Sequence, residues 1–241
     1  MEVATIEKAK IRILCLHGFF NNIDTMNHQL RHYRKLFDKY ISFVPINGPH
    51  ECTDVFDKKI AEMFKPPFFG WYFYNPKTNE CKGIEESIQY IVQYINTHGP
   101  FDGVLGFSQG TIMARIILKL SEFESEVPKI EVGAPKFGIV FSGIFTEKAK
   151  YFSKCKEDSL NIMNEYEQPM LYVYGEKDPL IEYVEKALVK EGDFTIVKHH
   201  YAHNIPKLRG EFLKEFCSFF DRMYYNIIGK HMDLDFGDFN T

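Results

Sequence analysis

The sequence predicts an α/β fold with a mostly parallel central sheet and helices on both faces. Three observations lead there. Short, nearly continuous apolar runs alternate with longer amphipathic ones along the chain, the pattern of βαβ units whose strands are covered on both sides. The chain has 241 residues, 45% hydrophobic and 26% charged, enough to bury a sizeable core without metal or disulfide staples. It also carries no internal repeat, low-complexity tract or Gly/Ser linker. A single domain is therefore expected over residues 1–229, followed by an acidic, loosely ordered tail at 230–241.

Residues 11–16 (IRILCL) read as a buried strand ended by His17 and Gly18. Met26, Leu30, Tyr33, Leu36 and Phe37 fall at helical spacing over 25–37. Residues 41–46 (ISFVPI) read as a second strand, and Pro45 assigns it to a sheet edge or a strand end. Residues 47–82 are irregular and rich in Pro and aromatics; a loop that long in a compact domain points to function. A helix is expected over 84–96, stopped by Gly99 and Pro100, then a strand at 103–107 and a helix at 109–121. Further strands are expected at 138–142, 170–174 and 194–198, and further helices at 146–164, 181–190 and 208–222.

In a parallel sheet of this kind chemistry gathers at the carboxyl ends of the strands. Gly106, Phe107, Ser108, Gln109 and Gly110 form a GxSxG motif entered by a strand and left by a helix, the context of a nucleophile elbow and of a compact α/β-hydrolase. The serine sits on a tight turn, where side chains two residues to either side would collide. A serine hydroxyl needs a base, and the base needs an orienting partner. In this fold class the order along the chain is Ser, then Asp or Glu, then His. Asp178, in the loop after the fifth strand, is the better orienter, with Glu176 as the alternative and a helix cap as its structural role. His199, His200 and His203 compete for the base; His203 lies beyond the sixth strand, in the loop free to reach Ser108. The oxyanion donors expected are the backbone N–H groups of Gln109, at the start of a helix, and Phe19, in the loop after the first strand. His17 reads as a buried structural histidine.

The stretches Leu16 to Phe19, Gly70 to Phe73, Gly99 to Gly103, Gly106 to Gly110 and Gly175 to Pro206 together resemble the FSH family of serine hydrolases, over about residues 11–222. The family's third motif carries Gly-Gly before its histidine, where this chain has Tyr201 and Ala202; His203 and Pro206 match. Acyl-protein thioesterases share the LHG and GFSQG motifs. The resemblance implies hydrolysis of carboxylic esters or thioesters, a small-molecule acyl substrate and no cofactor. By analogy residues 47–82 help wall an acyl pocket, with Phe20, Trp71 and Phe73 as candidate lining and Phe19 beside them; core packing is the competing account of each.

The net charge of −4 and pI near 6.2 give no support to nucleic-acid binding or to a polybasic membrane patch. The five cysteines are widely spaced, with no CxxC pair, and no metal motif such as HExxH accompanies the histidines. The first residues lack the apolar core of a signal peptide, and no run approaches the roughly 18 apolar residues of a membrane span. A reducing cytosolic or nuclear compartment is the expectation. Oligomeric state leaves no trace in the sequence. A catalytically silent binding protein on the same fold is the rival reading, since fold alone does not establish activity.

Overall fold

The structure is a computed structural model that describes residues 10–120, 128–144, 165–186, 188 and 191–234. The helix expected at 146–164 and most of the acidic tail lie outside the described residues.

The main sheet has six strands: β1 (Ile11–Leu16), β2 (Ile41–Ile46), β7 (Gly103–Phe107), β8 (Phe137–Phe141), β9 (Glu165–Gly175) and β10 (Glu191–His199). Their order is β10-β9-β8-β7-β1-β2, and every neighbouring pair is parallel. Each overlaps an expected strand, and three match it in both bounds. β2 is an edge strand, which is where Pro45, with no N–H to donate to a ladder, can be tolerated.

Alternation along the strands sorts the apolar side chains into two cores. On one face Leu14, Leu16, Val104, Val140, Met170 and Tyr172 meet helices α3 (Ile84–His98) and α4 (Gly110–Leu118). On the other face Ile13, Cys15, Leu105, Ile139, Phe141, Leu171 and Val173 meet α1 (Ile23–Leu36) and α6 (Gly210–Ile228). Much of the aromatic surplus sits in this second core. Tyr33 stacks on Phe216 at 4.6 Å and Phe37 on Phe220 at 4.9 Å; such pairs add about 0.5–1.5 kcal/mol each beyond burial.

At the amino end of the sheet Asp102 clasps three strand starts. Its carboxylate accepts the Arg12 N–H at 2.8 Å, its own N–H donates to the Arg12 carbonyl, and its carbonyl accepts the Lys136 N–H. The Gly99–Gly103 motif is thus part of the sheet's foundation, at the end away from Ser108.

Residues 47–82 hold more structure than their irregular pattern suggests. β3 (His50–Glu51) pairs with β4 (Phe69–Gly70), β5 (Phe73–Asn75) pairs with β6 (Glu80–Lys82), and a short helix α2 (Lys58–Met63) lies between. Asp57 caps α2 by accepting the Lys59 and Ile60 N–H groups. Of the tail, residues 231–234 are tied down: Asp221 takes the His231 ring and the Met232 N–H, and the Tyr40 hydroxyl donates to the Asp233 carbonyl.

Candidate active site

The chain turns back at β1: β2 lies to one side of it and β7 to the other. The loops after β1 and β7 leave the sheet there, at the carboxyl ends of the strands, where open α/β sheets place their binding crevice. Ser108 stands at that point, directly after β7.

Ser108 has φ +49°, a left-handed conformation that L-residues avoid and that nucleophile elbows impose. The flanking glycines make the turn possible. A Cβ on Gly106 would lie 2.5 Å from both the Gly110 carbonyl oxygen and the Thr111 Cα, and one on Gly110 would overlap the Leu16 and His17 carbonyls. The turn is held by the Ser108 N–H, which donates to the Phe141 carbonyl at 3.0 Å, and by the Ser108 carbonyl, which accepts the Thr111 hydroxyl.

His203 Nε2 lies 2.9 Å from Ser108 Oγ, and His203 Nδ1 lies 2.7 Å from Asp178 Oδ2. The Asp178 side chain is fully buried and the His203 side chain is 22% exposed. The other Asp178 oxygen, Oδ1, accepts the Leu180 N–H at 2.8 Å. One carboxylate therefore caps the start of α5 (Ile181–Lys186) and faces the histidine as well. Glu176 is drawn elsewhere. Its carboxylate pairs with His200 at 2.7 Å on the surface, and that hydrogen bond holds it below the usual carboxylate range.

His199 is buried at the end of β10 and accepts the Tyr201 N–H at Nδ1 (3.2 Å), so its proton resides on Nε2. Burial pushes its pKa down to about 4 against the pull of Asp178. It shapes the loop that carries His203. The Lys177 N–H donates to the Tyr201 carbonyl, the Asn204 N–H to the Ala202 carbonyl, and the Tyr33 hydroxyl to the Pro206 carbonyl at 2.6 Å. Neither Tyr201 nor Ala202 has a positive φ, so this loop reaches Ser108 without the glycines of the related motif.

His17 is buried and neutral: its Nε2 accepts the Gly48 N–H (2.9 Å) and its Nδ1–H donates to the Gly18 carbonyl (2.7 Å). Burial lowers its pKa to about 4. In the crevice the backbone N–H groups of Phe19 and Gln109 have no acceptor among the described residues. Among the described residues no group of three or more His, Cys, Asp or Glu side chains is arranged to hold a metal ion, and no helix is long and apolar enough to cross a membrane.

A family model described as serine hydrolase (FSH1) matches residues 5–214. The chain belongs to that family. Esterase C25G4.2 of Caenorhabditis elegans is 30% identical to this FSH1 member over 71% of the chain and 74% of its own length. Esterase OVCA2 of Bos taurus is 27% identical over 81% of the chain and 89% of its own. Among solved structures, acyl-protein thioesterase 2 of Zea mays superimposes with a TM-score of 0.59 at 16% identity, covering 90% of this chain and 95% of that one. Esterase PE8 does so at 0.56 and 18%, covering 89% and 93%. At such identities these structures establish the α/β-hydrolase fold.

Two of the lining residues expected in this FSH1 chain need correction. Phe20 is 2% exposed and packs on Phe68, and Trp71 is wholly buried with its indole N–H donated to the His17 carbonyl. Neither leaves a surface for a ligand; both are packed in the core. Phe73 is 41% exposed, and its ring stands nearly perpendicular to that of Phe19, with centroids 6.1 Å apart. Sequence reasoning missed Phe56, which is 73% exposed and contacts the Phe19 ring at 5.0 Å. No local signal marks it, because the contact joins residues far apart in the chain.

Proposed function

We propose that this family member cleaves carboxylic esters or thioesters by two-step acyl transfer. The observation that carries the reading is the unbroken line from buried Asp178 through His203 to Ser108 Oγ, at 2.7 and 2.9 Å. Ser108 attacks the acyl carbonyl while His203 Nε2 takes its proton. Asp178 holds the Nδ1–H tautomer and stabilises the imidazolium that forms. The N–H groups of Phe19 and Gln109 receive the oxyanion. His203 then protonates the departing alcohol or thiol, and water, deprotonated by His203, releases the acid from the acyl-enzyme. The exposed Phe56 and Phe73 beside Phe19 suit an apolar acyl group next to the reacting carbon.

The test is fluorophosphonate labelling of the wild type beside Ser108→Ala, with the labelled peptide mapped. Labelling at Ser108 that vanishes in the variant is expected. A folded wild type that takes no label would overturn the proposal in favour of a non-catalytic binding protein.

A further inference from the structure

The Gln109 side chain is occupied on both of its polar atoms. Its Oε1 accepts the Trp71 N–H at 2.8 Å, and its Nε2 donates to the Tyr72 carbonyl at 2.6 Å. A single side chain on the residue after Ser108 thus grips the backbone of a segment from the 47–82 insertion. That segment grips the loop after β1 in turn. The Trp71 indole N–H donates to the His17 carbonyl at 2.8 Å, and the Asn21 and Phe69 backbones exchange hydrogen bonds in both directions, at 3.2 and 2.7 Å. The Ser87 hydroxyl fixes the far side by donating to the Trp71 carbonyl at 2.6 Å. The segment lies so close that a Cβ on Gly70 would stand 2.8 Å from the Phe19 ring and 3.3 Å from Gln109 Oε1.

We infer that the Gln109 side chain is a positioning group: through residues 69–72 it sets the loop that carries the Phe19 amide relative to the elbow that carries the Gln109 amide. This rests on the proposed reading of those two amides as oxyanion donors. Such donors act only when fixed before the charge develops, so small displacement of one costs rate and leaves ground-state binding largely intact. The strap is then a part of the catalytic geometry and more than a wall of the pocket.

Two substitutions test it on the full chain with p-nitrophenyl acetate. Gln109→Met keeps the volume and loses both hydrogen bonds; kcat is expected to fall about tenfold to a hundredfold with KM changed less than about threefold. Gln109→Glu can restore both bonds only when protonated, its C=O accepting from Trp71 and its O–H donating to Tyr72. Its activity relative to wild type at the same pH should therefore climb toward one as pH is lowered from 8 to 5. Gln109→Met should stay low relative to wild type throughout. A Gln109→Met enzyme with wild-type kcat would overturn the inference, as would a Gln109→Glu deficit that does not recover on acidification. Fluorophosphonate labelling of the wild type separates the two layers. If Ser108 does not label, the hydrolase reading fails; if it labels and Gln109→Met is fully active, the positioning role alone fails.

Discussion

Acid should destabilise this protein through His17. His17 is fully buried, and burial lowers its pKa from 6.5 to about 4. Below pH 6.5 the unfolded chain takes up a proton that the folded chain refuses, so stability falls as pH falls, and the fall levels off below about 4. Above 6.5 the group contributes no pH dependence. At about 1.4 kcal/mol per pH unit the full gap is worth roughly 3 kcal/mol, a large share of the 5–15 kcal/mol typical of a domain. His199, with the same lowered pKa, acts in the same direction. His17→Gln isolates the first contribution, because an amide keeps an acceptor near the Gly48 N–H and cannot titrate. Urea unfolding followed by far-UV circular dichroism at pH 7, 6, 5 and 4.5 supplies both stabilities. The variant should be the weaker at pH 7, and the difference should narrow by roughly 2 kcal/mol by pH 4.5. Two stabilities that run parallel in pH to within about 0.5 kcal/mol would refute a neutral, buried His17.

Asp178→Asn keeps an acceptor for the Leu180 N–H but presents the wrong partner to His203 Nδ1–H; kcat should drop about 10³–10⁴-fold with little change in melting temperature. Tyr33→Phe strips the buried Pro206 carbonyl of its donor and should cost about 1–2 kcal/mol in urea unfolding; an unchanged midpoint would mean that this end of the His203 loop is held by something else. Burial raises the Cys15, Cys81 and Cys217 thiols to about 12, so mass-mapped iodoacetamide labelling at pH 8 should leave all three unmodified in the native state and modify them in urea.

The fold was legible because burial on both faces leaves continuous apolar runs, as in IRILCL and GVLGF, and because helical spacing marks α1, α3 and α6. Boundaries were less legible. β9 begins at Glu165, well ahead of the expected 170, since its first residues (EYEQP) lack the apolar run of a core strand. β8 ends at Phe141, because Ser142 leaves it with φ +47°. α6 runs on to Ile228 because Met223 and Tyr224 keep its apolar face going past the expected stop. Of the candidate site, Ser108 follows its strand directly, and Asp178 and His203 stand in the short loops after theirs, so strand recognition was enough to single them out as candidates. Trp71, Phe56 and the Gln109 side chain owe their places to contacts across the insertion, and nothing within a few residues of each encodes those contacts.

Sheet register explains why so much could be found from strand ends alone. Leu16 and Gly106 are registered partners on adjacent parallel strands; Phe19 and Gln109 each lie three residues beyond them. Gly175 and His199 are likewise partners, with Asp178 three residues beyond one and His203 four beyond the other. The candidate groups thus form two pairs, each launched from a common level of the sheet, with loops of nearly equal length. A one-residue slip of β1 against β7 would exchange the differently shaped side chains of β1 between the two cores, so the packing that fixes the register fixes the starting point of both amides. What register cannot supply is the last few ångströms across the crevice, since the loops have left the sheet there. That gap is where the 69–72 strap binds both loops, and it gives the long insertion a physical reason to follow β2 and return to β1.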